Sequence, residues 1–217
     1  MELLAQFIDI VLHLDSYLEA LLAQYGTWLY VILFLVIFAE TGLIVTPFLP
    51  GDSLLFVAGA LAASSAAAFD INALMVMLVV AAILGDAVNY RVGRWFGPKV
   101  FRWENSRFFN RAAFDKAHAF YERHGGKTIV IARFLPFVRT YVPFVAGVAE
   151  MTPARFTLFN VAGGIFWVVS LCMAGYWFGN LPWVKGNLTL VILAIIALSL
   201  LPMVWAWLRH HLAPKAS

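Results

Sequence analysis

Four charged side chains stand where the surrounding sequence is apolar: Glu40, Asp52, Arg133 and Arg139. An unpaired charge in hydrocarbon is costly, so such residues face a partner or a watery cavity and mark a pathway. An arginine stays protonated and presents a planar fork that grips phosphate through two hydrogen bonds, which suits Arg133 and Arg139 to an anionic headgroup. The carboxylates can change charge, because desolvation and a neighbouring arginine act on them in opposite senses. Glu40 and Asp52 are therefore candidates for proton coupling, with a proton entering as phosphate engages the arginines. A plainer reading stands beside this one: a permanent charge-neutral network of the four that only fixes the chain in place.

The elements that must position these groups are broken ones. Trp28 to about Thr46 is a first span, long enough for a hydrocarbon core of about 30 Å, with Glu40 in its second half. Pro47, Pro50 and Gly51 then break it, and the apolar run from Leu54 to Ala68 is too short for a full crossing. Thr128 to Ala149 repeats the pattern with Pro136, Pro143 and Gly147 around Arg139. Both segments suit re-entrant hairpins, since broken backbone at membrane depth survives where protein or water satisfies its freed polar groups. Ala73 to about Tyr90, Phe156 to Phe178 and Leu188 to Trp207 read as further spans, with Gly163-Gly164 allowing close helix packing. Asp86 and Asn89, near the inner end of their span, suit an exit path or helix packing equally.

Composition agrees with a bilayer. Hydrophobic residues make up 63% of the 217 and charged residues 12%, half the charged share of a soluble domain. No Lys or Arg precedes Arg91, and a dense basic stretch then runs to Lys127. The positive-inside rule makes that stretch cytoplasmic, and the C-terminus with Arg209 and Lys215 likewise. Topology explains this basic stretch without nucleic acid. Leu3, Phe7, Val11, Leu14, Leu18 and Leu21 recur at helical spacing, which predicts an interfacial amphipathic helix rather than a cleavable signal peptide. Phe109, Ala113, Phe120 and His124 predict a second one before Gly125-Gly126. The expectation is one all-α polytopic membrane domain over 1–217, with both termini cytoplasmic. Its parts are an interfacial helix over 1–24; span, hairpin and span over 28–90; and a basic amphipathic region over 91–127. A second hairpin over 128–150, two spans over 156–207 and a tail over 208–217 follow, giving about four spanning helices.

Short segments also recur. Phe48-Leu49-Pro50 and Phe56-Val57-Ala58-Gly59 return as Phe134-Leu135-Pro136 and Phe144-Val145-Ala146-Gly147. Gly93-Arg94-Trp95-Phe96-Gly97 returns as Gly175-Tyr176-Trp177-Phe178-Gly179. In the topology above the two copies run oppositely, so the hairpins are opposed in an inverted repeat, the architecture of many secondary transporters.

The span ending in Glu40-Thr41-Gly42, the Pro50-Gly51-Asp52 turn and the segment Arg133-Phe134-Leu135-Pro136-Phe137-Val138-Arg139-Thr140 together resemble the DedA family of bacterial inner-membrane proteins, related to VTT-domain lipid scramblases. Within the family the chain looks most similar to the members linked to proton-dependent drug and alkaline-pH tolerance. The resemblance covers roughly residues 25–178. It implies a multi-pass inner-membrane transporter with two opposed re-entrant hairpins, moving undecaprenyl phosphate or another lipid and supporting envelope integrity and cationic-peptide resistance. It carries the acidic pair onto Glu40 and Asp52 and the arginine pair onto Arg133 and Arg139. The implied partners are membrane lipids and protons. Oligomeric state is left open, a homodimer included.

Other chemistry finds little support. Gly125-Gly126-Lys127-Thr128 ends like a phosphate-binding loop but has Tyr121 where that motif needs glycine. The histidines show no metal-site spacing, the one cysteine, Cys172, reads as a small buried hydrophobe, and neither metal nor cofactor is expected. Trp28, Trp95, Trp177, Trp183, Trp205 and Trp207 lie near span ends and read as interface anchors. With no nucleophile-base pair in the spans, an enzyme is not expected. A proton-coupled antiporter for small cations or drugs, or a non-transporting assembly factor, are the alternatives to a lipid-phosphate transporter.

Overall fold

The computed structural model describes residues 24–43, 51–63, 70–100, 126–187 and 190–195, with single positions at 9, 17, 20, 21 and 197. Pro47, Pro50, the interfacial helix expected over 1–24, the second amphipathic helix and the C-terminal tail lie outside these or nearly so.

All regular structure among the described residues is helical: α1 (Trp28–Gly42), α2 (Gly51–Ala62), α3 (Ile71–Val100), α4 (Lys127–Ala132), α5 (Pro136–Val148), α6 (Pro153–Phe178) and α7 (Pro182–Gly186). Proline sets three of the starts. Pro136, Pro153 and Pro182 open α5, α6 and α7 at the first turn, where a missing N–H costs nothing. Leu135 ahead of Pro136 is extended, at φ −114° and ψ 104°, as steric contact with the proline ring requires. The break at 133–135 between α4 and α5 is thus dictated locally. Pro143, expected to break the segment too, lies inside α5 instead. Its ring removes the N–H that would meet the Arg139 carbonyl without ending the helix; the next carbonyl, that of Thr140, accepts from Asn89 Nδ2 of α3 at 2.7 Å.

Helix α3 continues past Tyr90, where the span was expected to end, so Arg91 and Arg94 extend the same helix and stand exposed on it. Residues 71–97 and 153–178 are long and apolar enough to cross a membrane. At 1.5 Å per residue the twelve residues of α2 reach about 18 Å and the thirteen of α5 about 20 Å, against a hydrocarbon core of about 30 Å. Val76, Val80, Leu84 and Val88 form an exposed apolar stripe along α3, and Leu158, Ile165 and Phe166 are exposed on α6. Such continuous outward apolar surface is foreign to a soluble monomer and suits lipid.

Helices α3 and α6 form the centre and pack on each other; α3 is flanked by α1 and α5, and α6 by α2 and α4. The main core gathers Leu29, Leu33, Ile37, Leu55, Leu78 and Trp167 from α1, α2, α3 and α6, and a smaller one gathers Tyr90, Ile129, Val142 and Phe156. The recurring glycine motifs hold the two crossings in matching fashion. A Cβ on Gly59 would overlap the Cys172 carbonyl, and one on Gly175 the Phe56 carbonyl, where α2 meets α6. At the equivalent positions, a Cβ on Gly147 would overlap the Tyr90 carbonyl, and one on Gly93 the Phe144 carbonyl, where α5 meets α3. Each half of the chain therefore packs its short helix against the long helix of the other half.

Candidate functional site

Leu29, Leu33, Ile37 and Glu40 fall on one buried stripe of α1, so helical periodicity carries Glu40 inward with the core residues. Its carboxylate is met there by the guanidinium of Arg139, from the first turn and a half of α5. The Gly51 N–H, at the start of α2, donates to Glu40 Oε1 at 3.2 Å. Glu40 Oε2 occupies the space where a Cβ on Gly51 would stand, which is why this position is glycine. Asp52 follows in the first turn of α2, near the positive end of its dipole. Arg139 Nη1 donates to Asp52 Oδ1 at 2.6 Å, and the Trp167 indole N–H, from α6, donates to the same oxygen at 2.9 Å. One arginine thus joins two carboxylates from two helices, and a third helix supplies a neutral donor.

Arg133 goes elsewhere. It sits at the break after α4, pairs with Asp86 of α3, and donates to the side-chain oxygen of Asn160 in α6. Asn160 is itself fixed by donating to the Ile83 carbonyl at 3.0 Å. The space for the arginine comes from Gly163, whose Cβ would stand 3.1 Å from Arg133 Cδ and 3.3 Å from Val130 Cα. The expected packing role of Gly163-Gly164 therefore includes room for this side chain. Both guanidiniums stand against the Trp167 ring, with Cζ 4.9 Å from its centroid for Arg139 and 5.9 Å for Arg133. An indole ring attracts a cation held against its face.

Of the expected residues, then, Glu40, Asp52 and Arg139 meet, while Arg133 forms a neighbouring site with Asp86 and Asn160. Asn89 serves packing: its Nδ2 donates to the Thr41 carbonyl, freed at the end of α1, at 3.2 Å as well as to Thr140. Gly51 and Pro136 begin α2 and α5, at the two breaks. Asp86 was read as suiting an exit path or helix packing, not as a partner of Arg133, and Asn160 and Trp167 were not expected as site residues. Each is polar or amphipathic in the middle of an apolar run, the signal that marked Glu40. Trp167 differs from Trp28, Trp95, Trp177 and Trp183 in just this respect: they are more than 60% exposed and it is 1% exposed. Cys172 is buried in the main core, as read from its apolar surroundings.

The VTT domain family matches residues 49–177, which contain Asp52, Asp86, both arginines and Trp167. Protein DedA of Escherichia coli K12 is 53% identical over 213 residues, covering 98% of this chain and 97% of that protein. An uncharacterised membrane protein of Mycobacterium leprae is 46% identical over 173 residues, 79% of this chain and 77% of its own. Inner membrane protein YqjA of Escherichia coli K12 is 38% identical over 184 residues, 84% of this chain and 81% of its own. No solved structure matches. With the matched domain covering most of the chain and relatives of this similarity named as membrane proteins, the chain belongs to the VTT-domain family that includes DedA, and is a helical membrane protein.

Proposed function

We propose that this protein is a transporter that moves a phosphate-bearing lipid, undecaprenyl phosphate or a phospholipid, across the bacterial inner membrane and couples the movement to protons. The observation that carries the reading is the charge balance of the buried network among the described residues: Glu40, Asp52 and Asp86 against Arg133 and Arg139, three carboxylates to two guanidiniums. An uncompensated buried charge is expensive, and a proton is the smallest charge that removes it. A phosphate headgroup entering the same network adds negative charge, so its binding favours further protons, and by linkage protons favour its binding. Arg139 supplies the first fork for the headgroup and Arg133 the second, while the acyl chain stays beside the exposed apolar stripes in lipid. Glu40 and Asp52 carry the protons.

The short helices α2 and α5 support two opposed re-entrant hairpins, and the matching glycine crossings support the inverted repeat that such transporters use. Both termini lie in the cytoplasm. Envelope integrity and resistance to cationic peptides follow from supplying or recycling anionic lipid.

A second reading rests on the same surplus of carboxylate, which would also attract a small cation and serve a proton-coupled cation or drug antiporter. One experiment separates them. The purified protein is reconstituted in liposomes containing labelled undecaprenyl phosphate or labelled phospholipid, and leaflet accessibility is followed at two pH values with and without an imposed gradient. Lipid exchange that depends on the phosphate and responds to the gradient is expected. Arg139→Lys keeps the charge but loses the fork, so a severe loss of lipid flux is expected. Cation flux without lipid exchange, unharmed by Arg139→Lys, would replace the lipid reading with the antiporter. No flux of either kind would favour the assembly factor.

A further inference from the structure

The two carboxylates on Arg139 are held very differently. The Glu40 side chain is 1% exposed, takes the Gly51 N–H and fills the space above that glycine. The Asp52 side chain is 13% exposed. Asp52 is therefore the carboxylate that can leave with the smaller rearrangement. What it would leave behind is defined by one atom, because Asp52 Oδ1 receives both the Arg139 Nη1 donor at 2.6 Å and the Trp167 Nε1 donor at 2.9 Å. Trp167 is 1% exposed while Asp52 holds this place, so its buried N–H needs another acceptor in the same position when that oxygen departs. A buried donor without an acceptor is disfavoured, so Asp52 leaves favourably only when another oxygen arrives.

The geometry points to the position of Asp52 Oδ1 as an oxyanion seat, built from Arg139 and Trp167, in which Asp52 is a resident competitor that a phosphate oxygen displaces. This rests on the lipid-phosphate reading and adds to it a named binding residue and a named occupant. Both donors lack any acceptor function, so the seat takes an acceptor oxygen and gives a cation nothing. Trp167 holds whichever oxygen occupies the seat, and its ring keeps the Arg139 fork in position. The chemistry shared by a lipid headgroup and free phosphate is a phosphate oxygen, and the two sources differ in whether an alkyl chain is needed.

The test is equilibrium binding of dodecyl phosphate, and separately of inorganic phosphate, to the full chain in phosphatidylcholine nanodiscs. Asp52→Asn weakens the resident competitor and is expected to tighten binding about tenfold, the order of one charge-assisted hydrogen bond. Glu40→Gln removes the same charge from the same guanidinium without vacating the seat and is expected to tighten it much less. Trp167→Phe keeps a ring beside both arginines and removes only the N–H. In the wild type that change weakens substrate and competitor alike and nearly cancels; in the Asp52→Asn background it is expected to weaken binding about tenfold. This dependence on background is the signature, and a merely structural tryptophan would weaken both backgrounds equally. Equal tightening by Asp52→Asn and Glu40→Gln, no tightening by Asp52→Asn, or equal Trp167→Phe effects in the two backgrounds would each overturn the seat. The pattern with dodecyl phosphate alone assigns the seat to a lipid headgroup, and with inorganic phosphate as well to any phosphate. Absence of the pattern with both overturns it. Lipid exchange in liposomes that proceeds without this pattern removes the seat and leaves the transport reading standing; the pattern without lipid exchange does the reverse.

Discussion

Arg139 and Arg133 lie six positions apart in one segment and in opposite electrostatic situations. Arg139 joins two carboxylates, one deeply buried and one partly open. Arg133 faces one carboxylate, Asp86, and an amide, Asn160, both buried. Among the described residues the first site sets two carboxylates against one guanidinium, and the second one against one. The difference follows from the break at 133–135. Arg133 stays at the end of α4 beside α3 and α6, whereas Arg139 is carried by α5 to the junction of α1 and α2. Trp167 lies against both and keeps them from being independent.

The largest effect expected from this contrast concerns Arg133. Arg133→Ala leaves Asp86 buried and alone, and breaking a buried pair costs about 3–5 kcal/mol, read as the unfolding midpoint in detergent. Replacing Arg133 and Asp86 together by leucine removes the whole balanced pair and is expected to restore most of that stability, while lipid flux stays well below wild type because the second fork is gone. Wild-type flux in the double variant would reduce Arg133 to a tether. No single partner change can rescue Arg139→Leu in the same way, since its site holds two carboxylates.

The Glu40 site is expected to respond in coupling more than in stability. Glu40→Gln mimics the protonated carboxyl and cannot release the proton, so flux driven by an imposed pH gradient should disappear while passive equilibration persists in part. Glu40→Asp keeps an ionisable group in a changed position and should retain coupling with an altered pH optimum. The measurement is lipid flux in proteoliposomes with and without the gradient. A Glu40→Gln protein that still follows the gradient transfers the role of carrier to Asp52.

The parts of this molecule that sequence makes legible are those written in single residues. Pro136 was read as a break in its segment, and it stands at the first turn of α5, where its missing N–H costs nothing. Glu40 and Asp52 announce themselves as charges in apolar surroundings. Pairing is another matter: which arginine meets which carboxylate depends on how α3 and α5 pack, and spacing along the chain carries no trace of it. Asp86 and Asn160 were visible as polar residues in spans, but their common partner was not. Trp167 was hidden among eight tryptophans, because residue type alone does not distinguish an interface anchor from a buried donor. Pro143 misled for a related reason, since whether a helix tolerates an internal proline depends on the helices packed around it, here α3, and not on the proline alone.

The smallest expected effect tests the comparison between the two halves of the chain. Gly59 meets the Cys172 carbonyl where α2 crosses α6, and Gly147 meets the Tyr90 carbonyl where α5 crosses α3. In each case the obstructing atom is backbone, which cannot swing aside like a side-chain tip, so a methyl group must push the helices apart. Overpacking of this kind costs about 1–3 kcal/mol. If the crossings are equivalent members of an internal repeat, Gly59→Ala and Gly147→Ala should lower the unfolding midpoint in detergent by similar amounts, and the same should hold for Gly175→Ala and Gly93→Ala. Within one crossing the two alanines push on the same contact, so combining Gly59→Ala with Gly175→Ala should cost less than the sum; combining Gly59→Ala with Gly147→Ala joins distant sites and should cost the full sum. A large loss at one crossing with none at the other would mean that the recurring motifs are a resemblance of sequence without a shared structural task.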